Sequence, residues 1–132
     1  MNQIAYIDPN GDLFTVALDG SRQVRLTGSL GIGEGVSKDS QPQPLRMDEY
    51  YTWPTWSSDG TKLAASQVIT RESGTEITVQ VLDSRTGSEE IIYKNDQAGL
   101  IANGTPHYIY WAPIGNQVSF LAATVEGLAI FL

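Results

Sequence analysis

A single histidine, His107, and no cysteine bound the chemistry open to this 132-residue chain. Any Ser-His-Asp machinery inside it must use His107, and there is no Gly-x-Ser-x-Gly elbow to present the serine. Without a thiol there is no disulfide, no thiolate nucleophile and no cysteine-ligated metal. A two-histidine metal site cannot form within the chain. No catalytic, metal-binding or cofactor-binding residue is therefore assigned. The expectation is a non-enzyme that needs no cofactor.

Two stretches imitate ligand loops. Gly31-Ile32-Gly33-Glu34-Gly35 has the glycines of a phosphate loop, but not the Gly-x-Gly-x-x-Gly spacing or a following Lys-Ser/Thr. It reads as a flexible connection. Asp8-Pro9-Asn10-Gly11-Asp12 opens like a calcium loop, with Asp19 at the twelfth position. The sixth position is Leu13 where glycine is required, and a strand-like run follows in place of a helix. A Pro-Asn-Gly turn accounts for the stretch.

Aromatic residues offer a different chemistry. Tyr50, Tyr51 and Trp53 fall in one short stretch, and Tyr108 and Tyr110 in another, directly after His107. Rings on a common face would stack on sugars or on peptide side chains. The same rings could instead pack between structural units. Arg46, Asp48 and Glu49 read as a solvated surface.

The formal charge is −7, with 41% hydrophobic and 17% charged residues. That composition belongs to a globular domain. An acidic chain lacks the basic patch that phosphate backbones and anionic membranes require, so no nucleic acid partner is expected. The most apolar stretch, 118–132, is broken by Glu126-Gly127 and is too short to span a bilayer, so no membrane insertion is expected. No basic start followed by an apolar run is visible.

The elements that position these residues repeat. The stretch from Pro54 to Ala65 aligns with that from Ile109 to Phe120 at a constant offset of 55: Trp56 falls on Trp111, Gly60 on Gly115, and Trp53 on Tyr108. Ile4-Ala5-Tyr6-Ile7 matches Leu63-Ala64-Ala65-Ser66 and Val118-Ser119-Phe120-Leu121. Downstream, Leu13-Phe14-Thr15-Val16-Ala17-Leu18-Asp19 matches Ile77-Thr78-Val79-Gln80-Val81-Leu82-Asp83. Each unit is four short strands joined by Gly, Asn and Asp turns, without a sustained helical period. Such a unit is the signature of a β-propeller blade. Trp56 and Trp111 are then expected to be largely buried between blades, with turns at Asp59-Gly60 and Gly115-Asn116.

At these residues the chain resembles the TolB-like propeller repeat, a relative of the WD-type repeat. The family pattern runs Pro-x-Trp-Ser-Pro-Asp-Gly-Lys, two residues, then Ala-Phe. Pro54, Trp56, Ser57, Asp59, Gly60 and Ala64 match it, while Ser58 replaces the proline and Ala65 the phenylalanine. The second copy keeps Trp111, Pro113, Gly115 and Phe120, with Ile114 where aspartate is expected.

The resemblance implies an all-β, incomplete propeller of about three blades: a partial blade at 1–27, an inter-blade loop at 28–50, a full blade at 51–95 and a partial blade at 96–132. A piece of a longer protein is expected. The implied function is a non-catalytic scaffold presenting loops to a protein or peptide partner. The ligand face would comprise Tyr50, Tyr51, Trp53, His107, Tyr108 and Tyr110. The alternatives are the gating propeller of a prolyl-oligopeptidase-type enzyme and a sugar-active propeller whose site lies elsewhere. The resemblance alone implies a periplasmic or extracytoplasmic setting. Unpaired strands at 4–7 and 128–132 would favour self-association.

Overall fold

Runs rich in Val, Ile, Thr and aromatic residues, punctuated by Gly- and Asp-containing turns, form strands wherever the structure describes them. The structure is a computed structural model that describes residues 2–27, 48–95, 108–124 and 127–131. No helix occurs among the described residues. The first sheet is β1 (Gln3–Ile7), β2 (Leu13–Ala17) and β3 (Val24–Arg25). The second is β4 (Glu49–Trp56), β5 (Lys62–Arg71), β6 (Gly74–Asp83) and β7 (Glu89–Asn95). The third is β8 (Tyr110–Trp111), β9 (Val118–Thr124) and β10 (Gly127–Phe131). Every pairing joins strands consecutive in the chain, and every one is antiparallel. β4 begins inside the expected connection: Glu49 pairs with Ile69 and Tyr50 with Val68.

Strand alternation gives the middle sheet two apolar faces. Leu63, Ala65, Leu82 and Tyr51 point one way and pack with Leu13 and Leu26 of the first sheet. Ala64, Val68, Ile77 and Val79 point the other way and pack with Ile109, Val118, Phe120 and Ala122 of the third. Cross-strand partners agree with this division, Leu63 opposite Leu82 and Val68 opposite Ile77. The central strands β5 and β6 are thus buried on both faces along most of their length, while β7 at the edge is largely exposed.

The tryptophans depart from expectation. Trp56 and Trp111 are half-buried, not largely buried. Trp56 packs at the margin of the first core and Trp111 at the margin of the second. Each indole packs, partly exposed, against a cluster of smaller buried side chains.

The first sheet docks on the second through the β1–β2 turn. Asp8 shapes this turn: its carboxylate accepts the Asp12 backbone N–H at 2.9 Å and the Asn10 side-chain amide at 3.2 Å. Gly11 then lies against β4. Its carbonyl accepts the Tyr51 N–H at 2.7 Å. Its φ is +81°, and an added Cβ would fall 2.4 Å from the Tyr50 Cβ and 2.6 Å from the Tyr50 Cα. Only glycine fits both the conformation and the space. Gly11→Ala is therefore expected to destabilise the fold by ~2–5 kcal/mol, from left-handed strain plus a backbone clash. Urea denaturation measures this, and an unchanged midpoint would mean that the first sheet does not dock here.

Aspartates hold three further turns, at Asp19, Asp59 and Asp83. Asp59 accepts the Ser57 hydroxyl at 2.8 Å, and from Thr61 both the N–H at 3.0 Å and the hydroxyl at 2.8 Å. The Thr61 N–H is the largest of the influences that hold its carboxyl down to about 2. Ser21 lowers Asp19, and the Thr86 and Arg85 N–H groups lower Asp83. A depressed folded pKa contributes stability above the unfolded value, and that stability disappears as pH falls through the folded one. Stability should decline as pH drops from the ordinary aspartate value of 3.8 towards about 2. Asp59→Asn should flatten that decline, as thermal melts across this range would show.

Candidate functional site

Trp53 owes its position to an irregularity in β4. Thr52 pairs with Ser66 but Thr55 pairs with Ala64, so Trp53 and Pro54 together oppose Ala65. This is a β-bulge, and Pro54, which has no N–H to give the ladder, sits naturally in it. Trp53 takes φ +58°, a left-handed conformation unusual for a bulky residue. Its indole is consequently 42% exposed.

The third sheet delivers the other rings. Ile109 is fully buried in the second core, and its neighbours Tyr108 and Tyr110 point outward by alternation, 39% and 57% exposed. Trp111 fixes the docking, its indole N–H donating to the Thr55 carbonyl at 3.0 Å. Tyr108 thereby meets Trp53 edge-on at 5.5 Å, and Tyr108 and Tyr110 lie nearly parallel at 6.4 Å. Beside them is an apolar groove of about 390 Å³, lined by Tyr108, Tyr110, Ser119, Phe120, Leu121 and Ile130.

The six residues expected on one ligand face divide. Trp53, Tyr108 and Tyr110 come together at the surface. Tyr50 packs half-buried against the second core, and Tyr51 is buried in the first. The correction has a simple cause: adjacent residues on a strand face opposite ways, so Tyr50 and Tyr51 cannot share a surface. His107 lies outside the described residues. Of the repeat residues, Asp59 and Gly60 form the β4–β5 turn, with Gly60 at φ +71°. Pro113 and Gly115 lie in the β8–β9 turn, with Gly115 at φ +91°.

Two polar clusters escaped sequence reasoning. In the first, Asp12 pairs with Arg25 and accepts the Thr27 hydroxyl at 3.1 Å, while that same hydroxyl oxygen accepts the Leu13 N–H at 2.9 Å. The calcium-like stretch is thus a buried joint between β1–β2 and β3. In the second, the Tyr51 hydroxyl reaches Gln80 at 3.2 Å and Glu89 at 3.4 Å. Burial, followed by the Glu89 charge, raises the Tyr51 phenol well above its ordinary pKa. Gln80 also donates to Gln67 at 2.7 Å. These groups lie far apart in sequence and share no motif, so only pairing register brings them together. Among the described residues, no three His, Cys, Asp or Glu side chains gather to hold a metal ion.

The fold and site define an all-β chain of repeated antiparallel meanders with an aromatic ridge across two of its sheets. Set against known protein families, curated proteins and solved structures, the chain matches none.

Trp53 is expected to matter little to stability. Left-handed strain of ~1–2 kcal/mol offsets the ~0.5–1.5 kcal/mol of its ring contact. Trp53→Gly should leave unfolding in urea within ~1 kcal/mol of the parent chain, since glycine takes this φ freely. A larger loss would make Trp53 part of the framework and remove it from the site.

Proposed function

We propose that the chain is a non-catalytic binding module of TolB-like propeller type, holding a protein or peptide segment on the Trp53–Tyr108–Tyr110 ridge. The Pro54-to-Ala65 pattern and its copy 55 residues on support the propeller reading. So does the arrangement of four-stranded and three-stranded meanders packed face to face. The observation that carries the binding reading is Trp53 itself. A bulky residue kept exposed in a left-handed bulge gains little for the fold, and strained, exposed aromatics concentrate at recognition sites. Flat rings supply contact area at low entropic cost, and rings with N–H and O–H groups suit extended peptide backbones. The peptidase-gating and sugar-acting alternatives draw on the family resemblance alone, with no particular contact favouring either.

The test is a phage-displayed library of random peptides panned on the full chain. Peptides should be enriched whose affinity falls about tenfold or more, ~1.4 kcal/mol, on Trp53→Ala and on Tyr108→Ala. No enrichment, or equal binding to both variants, would overturn the reading.

A further inference from the structure

The turn that seats the first sheet on the second contains Asn10-Gly11, a pair with covalent chemistry of its own. An asparagine followed by glycine can cyclise. The Gly11 backbone nitrogen attacks the carbonyl carbon of the Asn10 side chain, and a C–N bond forms. The bond from that carbon to Nδ2 breaks, the Gly11 nitrogen gives up its proton, and ammonia leaves. Water then opens the cyclic imide at either carbonyl, giving aspartate or isoaspartate at this position. No oxidant, reductant or cofactor is needed. Glycine favours the step because it has no side chain to shield its nitrogen or restrict its backbone.

The folded turn holds both reacting groups back. Asn10 is exposed to water, but Gly11 is buried against β4. The Gly11 N–H donates to the Asp8 carbonyl at 2.9 Å, and the Asn10 side-chain amide donates to the Asp8 carboxylate at 3.2 Å. Attack requires the release of both bonds. Gly11 is also fixed at φ +81° beside the Tyr50 backbone, so its nitrogen turns towards the side chain only if the turn lifts from β4. Local opening of this joint therefore sets the rate.

Neither product fits the closed turn. Aspartate places a carboxylate where the amide donated to Asp8, so two like charges face each other across a hydrogen-bond distance. Isoaspartate routes the main chain through the former side chain and inserts an extra methylene before Gly11. There is no slack to absorb it, since even a Cβ on Gly11 would fall 2.6 Å from the Tyr50 Cα.

We propose that Asn10 is a self-modification site, whose deamidation permanently releases the β1–β2 turn from β4. The reaction reports on, and then abolishes, the seating of the first sheet. Both reacting residues lie within one described turn, and the proposal does not draw on the peptide reading.

The full chain is incubated in mildly alkaline buffer, folded and in urea, and digested with trypsin. The fragment 1–22 carries Asn10-Gly11 apart from the other Asn-Gly pair, Asn103-Gly104, and mass spectrometry reads its conversion. Conversion in the folded chain should be about tenfold slower than in urea, equivalent to ~1.4 kcal/mol of opening. Asn10→Gln should stay intact, because its longer side chain closes the ring poorly. The reacted chain gains a negative charge and is separated by anion exchange. In it, NMR should show the Tyr51 N–H, bonded to the Gly11 carbonyl in the parent, exchanging about tenfold faster, with the amides of β5 and β6 unchanged. Equal rates in the folded chain and in urea overturn the proposal, as does a folded chain still intact when the urea sample has fully converted. A reacted chain in which the Tyr51 N–H keeps its protection overturns it. So does one that loses protection throughout β5 and β6, since the whole fold would then have opened.

Discussion

The contact between the β1–β2 turn and β4 governs the rest of the molecule. The Gly11 carbonyl takes the Tyr51 N–H at 2.7 Å, and the turn approaches so closely that no Cβ is tolerated. A backbone-to-backbone bond at this point sets the height and angle of the first sheet on the second. It also fixes which way Tyr50 and Tyr51 face. With Tyr51 drawn towards the first sheet, alternation sends Tyr50 to the second core, and the bulge beyond them turns Trp53 out to solvent.

The face of the second sheet that meets the first is also notably polar. Tyr51, Gln80, Thr78 and Gln67 lie on the face that meets the first sheet, and Tyr51, Gln80 and Thr78 are buried. Buried hydroxyls and amides are costly unless paired. Here they pair with one another: Tyr51 with Gln80, and Gln80 with both Gln67 and Thr78. Such a network specifies register, because shifting a strand by one residue would break every bond and invert every side chain. Asp12, Arg25 and Thr27 do the same within the first sheet. Apolar burial drives the sheets together, and these polar joints determine how they align.

The strands were legible in the sequence because local chemistry dictates them. Period-two alternation, the turn at Asp59-Gly60 and the matching glycine at Gly115 each act within a few residues. The 55-residue offset then places equivalent strands in equivalent sheets. Less legible was anything that depends on one sheet meeting another. Trp56 and Trp111 read as core residues from their type, yet packing left them at the rims. Asp8 and Asp12 read as turn residues, and Asp8 does shape the turn, but the role of Asp12 in joining β2 to β3 depends on Arg25 and Thr27, which the turn itself does not reveal. The split of the aromatic set was available in principle, since Tyr50 and Tyr51 are neighbours on a strand. The left-handed Trp53 was not, because a bulge is a property of the pairing of two strands.

The pairing of Trp53 with Tyr108 shows how a repeat generates a surface. The two residues occupy the same position in successive units, 55 residues apart, and the stacking of the units brings equivalent positions side by side. An aromatic residue at that position in two successive units therefore makes a line of rings, where a single unit would offer only one. The units need not be identical for this. The bulge differs from the short β8 strand, and the rings meet edge-on rather than parallel. What must be preserved is the anchor beneath each ring. Ile109 in the second core and the Trp111 bond to Thr55 supply it for Tyr108, and the Pro54 bulge supplies it for Trp53. The cores thus hold the rings at the surface in fixed relation, and the exposed residues themselves remain free to differ without cost to the fold.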